Sequence, residues 1–259
     1  MNVKINPKQH QGRTLLDICK DYNDDDLILP DYQPVSTSTA TVVNLTLEHL
    51  MLMAPSISLP KAAQLLPDLN KTLNMFEISK NLERVLFFMP NLLHESGETK
   101  YTEEIASGVA YESRTDLGNT AAKDGDGPRH KGMGLMQITG VTNQGKFGEY
   151  ILSDKELTKL YIKMYDEFPD KFGNPVLRNP RMLTQAPWHI ISAGWFWRIL
   201  ARLNPVADVG NFYATCTKIN GGTNGLADRI KYLNWCKVIL AEFNHLSIIP
   251  GQEYKISKL

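Results

Sequence analysis

The chain has 259 residues, enough for one large domain or one domain with a small appendage, and its 42% hydrophobic content is ordinary for a globular protein with a real core. Lys+Arg and Asp+Glu both number 28, and this zero formal net charge argues against a chain-wide electrostatic grip on nucleic acid, leaving room only for a local basic face. No apolar run approaches the ~20 residues that span a bilayer, so membrane insertion is not expected.

The start, Met1-Asn2-Val3-Lys4-Ile5-Asn6-Pro7-Lys8, has no apolar h-region, which predicts no Sec-type signal and synthesis in the cytoplasm. Residues 1 to 44 are polar and irregular, with an acidic run at Asp21-Tyr22-Asn23-Asp24-Asp25-Asp26 and a Ser/Thr stretch at Ser36-Thr37-Ser38-Thr39. They read as an extended arm, or as a docking element for a partner or a capsid. From 45 to 259 the texture is that of one folded domain. Leu45, His49, Leu52 and Met53 suggest a first helix, and Ala62-Ala63-Gln64-Leu65-Leu66 a second. Over Ile78 to His94, the positions Leu82, Val85, Leu86, Met89, Leu92 and Leu93 recur in steps of three and four, the mark of a buried helix face. Ser79 is its expected N-cap, and Pro90 should kink it or remove a turn.

Gly108 to Gly148 is Gly-rich and too irregular for a continuous helix; Gly132-Met133-Gly134-Leu135-Met136-Gln137-Ile138-Thr139-Gly140 suits a short β-hairpin. A further helix is expected over Trp188 to Leu203, with Phe196, Ile199, Leu200 and Leu203 on one face and Asn204-Pro205 as its stop. The last runs from Leu226 toward Phe243, with Ile230, Leu233 and Leu240 inward. There is neither an internal repeat nor a βαβ alternation. The fold class is therefore mainly α with a small β element in the middle.

Chemistry concentrates where helices end. Glu95, in His94-Glu95-Ser96-Gly97, leaves the apolar helix, and Glu104 follows nine residues later in Tyr101-Thr102-Glu103-Glu104-Ile105. Two carboxylates across a cleft are the minimal apparatus for glycoside hydrolysis: one donates a proton to the leaving oxygen, and the other activates water or stabilises the sugar cation. Spacing alone does not single this pair out among 28 acidic residues. Other chemistries lack their motifs. His94-Glu95 has no second histidine for an H-E-x-x-H metal site, and no G-x-S-x-G turn is present. Gly221-Gly222-Thr223-Asn224-Gly225 lacks the Gly-Lys-Ser/Thr ending of a phosphate loop. Cys19, Cys216 and Cys236 are far apart and odd in number, which predicts reduced thiols rather than a zinc site or disulfide framework. Neither a metal nor a cofactor is expected.

Several blocks, in order, resemble glycoside hydrolase family 19, particularly its chitinase-like phage lysozyme branch. His94-Glu95-Ser96-Gly97 is like the general-acid motif, and Glu104-Ile105 fits the second catalytic glutamate. Tyr111-Glu112-Ser113-Arg114-Thr115-Asp116-Leu117-Gly118-Asn119-Thr120 with Gly125-Asp126-Gly127 resembles the loop leading into the cleft. Gly132 to Gly140 looks like G-R-G-x-I-Q-x-T-G, and Ile219-Asn220-Gly221-Gly222 with Gly225-Leu226-Ala227-Asp228-Arg229 like I-N-G-G…G-L-x-D-R. Ala193-Gly194-Trp195-Phe196-Trp197 and Leu203-Asn204-Pro205-Val206-Ala207-Asp208 also fit. The resemblance covers about Leu45 to Phe243. Two places depart from it: Met133 replaces the arginine of G-R-G, and Gly140-Val141-Thr142-Asn143-Gln144 replaces T-G-R-x-N-Y.

The resemblance implies a lysozyme-like, chitinase-like, two-lobed helical domain with a small β-hairpin beside the cleft. It implies Glu95 as general acid and Glu104 as the base that activates water, in an inverting mechanism. Gln137 and Thr139 would hold the water and sugar, Asn143 and Asn220 would bind N-acetyl sugars, and Arg229 would tune the carboxylates or serve as a structural ion pair. Glu112 competes for the base role. His94 can simply cap and pack, and Trp188, Trp195 and Trp197 read as core rather than as sugar platforms. The expected substrate is peptidoglycan, cut between N-acetylmuramic acid and N-acetylglucosamine by a monomeric lysin. That lysin would be held in the host cytoplasm until a holin releases it to the wall, or carried in the virion. Chitin is the enzymatic alternative, and a non-catalytic wall-binding or virion module the other; Met133 keeps the latter open.

Overall fold

The computed structural model describes residues 42–241. Most of the arm expected over residues 1 to 44 lies outside the described residues, as do Cys19 and the far end of the last helix near Phe243.

In chain order the helices are α1 (Leu47–Met53), α2 (Leu59–Met75), α3 (Leu82–Ser96), α4 (Asp126–Arg129), α5 (Val141–Ser153), α6 (Lys155–Tyr165), α7 (Pro175–Arg178), α8 (Trp188–Trp195), α9 (Asn204–Asp208), α10 (Phe212–Asn220) and α11 (Leu226–Ile239). Short 3-10 turns occupy Val109–Tyr111, Thr115–Leu117 and Pro180–Thr184. The chain divides into two compact units, one taking the described residues up to His94 and from Ala201, the other Glu95–Leu200. No helix among the described residues is long and apolar enough to cross a membrane.

In the first unit, α1 begins with a reciprocal cap: the Thr46 hydroxyl accepts from the His49 backbone, and the Thr46 N–H donates to His49 Nδ1, both at 3.1 Å. The segment before it is tied down as well. Val43 N–H donates to the Ser79 carbonyl, and Leu45 N–H to Asn70 Oδ1, so Val43 and Leu45 are buried. Residues 43 and 44, assigned to the polar extension by composition, therefore run against the core.

The periodic positions of α3 are buried from Val85 onward, but Phe87, Phe88 and Asn91 are buried too, so the helix is enclosed on every side rather than along one face. Phe87 meets Phe212 edge-on with centroids 5.1 Å apart. The helix runs through Pro90 without interruption. Asn91 Nδ2 donates to the Phe87 carbonyl at 2.8 Å, in the stretch where the proline removes a backbone donor. The expected cap at Ser79 is corrected: Ser79 is buried, with its N–H and carbonyl spent on Leu73 and Val43. Asn81 takes the role, its Oδ1 accepting from Glu83 N–H at 2.8 Å.

In the second unit, α5 packs against α6 and α7. Phe147 of α5 meets Trp195 at 5.1 Å, and Tyr161 of α6 meets Trp188 at 6.2 Å. Trp188, Trp195 and Trp197 are buried, which makes them core. The helix expected over Trp188 to Leu203 is corrected. Its α-helical part ends at Trp195, and Phe196–Leu200 forms a π-turn. The wider turn resets the register, burying Trp197 and leaving Ile199 exposed. Asn204-Pro205 opens α9 instead of stopping a helix.

The expected β-hairpin shrinks to single-residue bridges, Met133 with Ile138 and Met133 with Glu103. Gly134 (φ 81°) and Gln137 (φ 50°) both adopt the left-handed conformation and close the turn after one pair.

Candidate active site

Glu95 is the penultimate residue of α3, half-buried where the helix gives out. Gly97, Glu98 and Thr99 follow with φ of 54°, 58° and 67°, a left-handed run that turns the chain sharply. Gly97 is needed there twice over, since a Cβ would also sit 2.8 Å from the Tyr101 ring. The turn is closed by Thr99 N–H to Ser96 Oγ and Tyr101 N–H to the Ser96 carbonyl, both at 2.8 Å.

The chain then runs beside the 132–138 turn. Glu104 N–H donates to the Gly132 carbonyl, and Gly134 N–H to the Thr102 carbonyl, both at 2.8 Å. The Glu104 carboxylate has a donor on each oxygen: Tyr111 Oη–H on Oε1 at 2.9 Å and Gly132 N–H on Oε2 at 3.0 Å. Lys131 Nζ donates to the carbonyls of Glu104 (2.9 Å) and Ala106 (3.2 Å), and pairs with the Glu103 carboxylate at 3.1 Å. Arg181 reaches the same Glu103 oxygen at 2.9 Å. Burial, then the hydrogen bond to Glu104 and its charge, raise the Tyr111 phenol above the ordinary tyrosine range.

Gln137 and Thr139 lie on and just after this turn, and Asn143, in the first turn of α5, reaches back to it. Gln137 Nε2 donates to the Gly134 carbonyl at 2.8 Å, Thr139 Oγ1–H to the Gln137 carbonyl at 2.8 Å, and Asn143 Nδ2 to the Thr139 carbonyl at 3.2 Å. Gln137 Oε1 and Glu104 Oε2 both lie over the Cα of Gly132, where an added Cβ would stand 2.7 Å and 3.3 Å from them. Met133 is buried, and its backbone carries both bridges.

Glu112 lies in the loop before α4. Its carboxylate accepts from the N–H groups of Gly125 and Gly127 and so holds the loop that opens α4. Asn220 and Arg229 belong to the first unit. Asn220 is exposed at the end of α10 and donates to the Asn224 carbonyl at 2.8 Å, while Arg229 is buried and donates to Asn91 Oδ1 at 2.6 Å. His94 is also in that unit, its Nδ1 2.6 Å from Asp228 Oδ2, and Gly225 passes so close that a Cβ there would overlap the imidazole. Among the described residues no group of three His, Cys, Asp or Glu could hold a metal ion.

Three contributors had no role assigned from the sequence. Tyr111 heads the block read as the loop into the cleft, and Lys131 lies in irregular chain, where spacing carries no signal. Gln144 had one: it shares helical spacing with buried Phe147, Gly148 and Ile151. Its Oε1 accepts from His130 Nδ1–H (2.7 Å) and its Nε2 donates to the carbonyls of Lys131 (3.2 Å) and Ile138 (3.0 Å), pinning both ends of the turn that carries Gly132.

No family model matches the chain. It is 33% identical over 166 residues to an endochitinase of Arabidopsis thaliana, a match covering 61% of this chain and 46% of that protein. It is 32% identical over 146 residues to a glycosyl hydrolase family 19 domain-containing protein of Haemophilus influenzae, covering 56% of this chain and 58% of that one. The chain spans about half the length of these curated relatives. Chitinase C from Streptomyces griseus superposes with a TM-score of 0.54 over 80% of this chain and 96% of its own, at 18% identity. A Glu-to-Gln mutant of chitinase C gives 0.52 over 76% of each chain, at 19% identity. At that identity the likeness speaks for the fold alone. In sequence the chain is similar to an endochitinase and to a glycosyl hydrolase family 19 domain-containing protein, and in fold it is similar to chitinase C.

Proposed function

We propose that the chain is a peptidoglycan lysin that hydrolyses the β-1,4 bond between N-acetylmuramic acid and N-acetylglucosamine. The observation that carries this reading is the Glu104 carboxylate, held by Tyr111 Oη–H and Gly132 N–H beside the Gln137–Thr139 turn. Both donors complement a carboxylate and fix its plane, as a general base requires. Glu95, half-buried where an enclosed helix ends, is the proton donor to the leaving oxygen. Water activated by Glu104 attacks the anomeric carbon from the face opposite the leaving group; the C–O bond breaks toward the proton from Glu95, and the configuration inverts. Gln137 and Thr139 hold water and sugar from the turn, and Asn143 does so from the start of α5. No metal or cofactor takes part in this scheme. The protein acts as a monomer on wall glycan, without nucleic acid or membrane insertion. It waits in the host cytoplasm for holin-assisted release, or travels with the virion.

The lysin branch is favoured by the cysteine usage, three widely spaced residues of which Cys216 and Cys236 are free thiols, where plant-type chitinases carry several for disulfides. Chitin is the second reading, favoured by the endochitinase name of the Arabidopsis relative. Digestion of purified peptidoglycan and of chitin oligomers in parallel decides between them. A muropeptide with a reducing N-acetylmuramic acid end, released first as the α-anomer, is the expected product. A reducing N-acetylglucosamine end, or cleavage of chitin alone, moves the substrate. Glu95→Gln should lower turnover on the order of 10²–10⁴-fold with the fold intact. Lysis by that variant at the wild-type rate overturns the acid assignment, and no cleavage by wild type of either polymer leaves a non-catalytic module.

A further inference from the structure

The geometry points to Tyr111 as the positioning residue of the base: its hydroxyl stabilises the ionised Glu104 carboxylate and sets the pH at which hydrolysis begins. This inference rests on Glu104 acting as base.

Carboxylates at the surface take their hydrogen bonds from water, which follows the charge wherever it rotates. Glu104 instead has one bond from a backbone amide, Gly132 N–H, which cannot be changed by mutation, and one from a side chain, Tyr111 Oη–H, which can. Tyr111 is itself braced. It ends the Val109–Tyr111 turn, and its carbonyl accepts from Asn119 Nδ2 at 2.7 Å. Asn119 is buried, and its Oδ1 accepts from Val141 N–H at the start of α5. The phenol therefore reaches Glu104 from a fixed backbone, and its donor costs little reorganisation when negative charge must be held during water activation. The charged groups around the pair are Arg114, which faces Tyr111 and is forked onto Asp116, and Glu103 with Lys131 and Arg181. The last three, two cations on one carboxylate, leave one positive charge beside the Glu104 backbone. Glu112, next to Tyr111, is committed to Gly125 and Gly127. Tyr111 is thus the neutral donor whose removal leaves the local charge count unchanged, so Tyr111→Phe isolates the hydrogen bond.

The bond is read first without activity. In the full chain labelled at the tyrosine ring carbon bearing oxygen, the Tyr111 resonance, assigned by its loss in Tyr111→Phe, should titrate above the other exposed tyrosines. Glu104→Gln should bring it part of the way back, the remainder being burial. A Tyr111 titration indifferent to Glu104→Gln overturns the inference. The consequence is read next, in kcat/KM against pH on purified peptidoglycan and on chitin hexamer. Tyr111→Phe should move the acid limb up by about one pH unit, the size expected for a hydrogen bond to a charged group, with KM unchanged and the alkaline limb unmoved. Site-specific 3-fluorotyrosine at position 111, a stronger donor, should move that limb the opposite way. A uniform loss of kcat with an unmoved acid limb overturns the inference and leaves Tyr111 a packing residue. Full activity in Glu104→Gln overturns instead the base assignment beneath it, while the tyrosine titration still reports the bond.

Discussion

The two glutamates are held in opposite ways. Glu95 is placed by a helix enclosed from Val85 to Leu93, so its position is set by packing spread over many side chains. Glu104 lies in chain with no regular structure and is placed by a few hydrogen bonds, from Tyr111, from Gly132, and from Lys131 to its carbonyl. Packing on the first side is redundant, and any one contact contributes modestly. On the second side each bond is singular, and several reach across more than twenty residues of sequence. The loop-held carboxylate should therefore be the one whose function is lost without loss of fold.

The largest expected effect breaks the loop side alone. An added methyl in Gly132→Ala would lie 2.7 Å from Gln137 Oε1 and 3.3 Å from Glu104 Oε2, so both groups must shift. Glu104 must give by a few tenths of an ångström and Gln137 by its flexible end, so turnover should fall about tenfold, short of the ~10²-fold of a 1 Å misplacement, with about 1 kcal/mol lost in stability. Hydrolysis rates and urea unfolding of the variant, measured together, check the expectation. Unchanged turnover would show that the turn does not position Glu104.

The reverse experiment breaks the helix side. At the start of α3, Arg84 forks onto Asp208, Nε to Oδ1 at 2.6 Å and a terminal nitrogen to Oδ2 at 2.7 Å, and a third nitrogen donates to the Glu77 carbonyl at 2.7 Å. Its side chain is 18% exposed. Arg84→Ala should cost about 1–2 kcal/mol of stability, after allowing for solvent screening, and leave kcat unchanged. Loss of turnover without a lower unfolding midpoint would erase the distinction between the two supports.

The same distinction explains what was legible in the sequence. The periodicity of α3 was readable because packing repeats, and so was the core role of the tryptophans. The motif blocks pointed to Gln137, Thr139 and Asn143, which are linked by hydrogen bonds from Thr139 to the Gln137 carbonyl and from Asn143 to the Thr139 carbonyl. The partners of Glu104 were not readable from spacing: Gly132 lies 28 residues away, and Tyr111 approaches through a 3-10 turn, so neither pairing leaves a period. The register of Trp188–Leu203 failed for a related reason. A π-turn adds a residue to one turn without changing composition, and only tertiary packing reveals that Trp197 is inside and Ile199 outside. Ser79 failed because a serine before an apolar stripe is a cap only if its own backbone is unspent.

The smallest effect sharpens the comparison within the second unit, away from the site. Glu167 accepts from Arg178 and from Tyr161 Oη–H at 2.9 Å, and these bonds, that from Arg178 foremost, hold its carboxyl below the ordinary carboxylate range. A depressed carboxyl contributes stability that is fully present above its unfolded value, near pH 4.3, and is lost as pH falls through the lower folded value. Glu167→Gln should thus melt about a degree or two below wild type at pH 6, a small shift because the pair is solvent-screened. The two melting curves should converge as pH drops below the carboxylate range, since wild type then loses by protonation what the variant lost by substitution. Turnover near neutral pH should not change, because the Glu167 carboxylate is engaged by Tyr161 and Arg178 and not by Glu104 or the Gly132 turn. A gap that widens in acid would reverse the sign assigned to Glu167, and a loss of turnover would mean that this exposed pair helps to set the Gly132 turn.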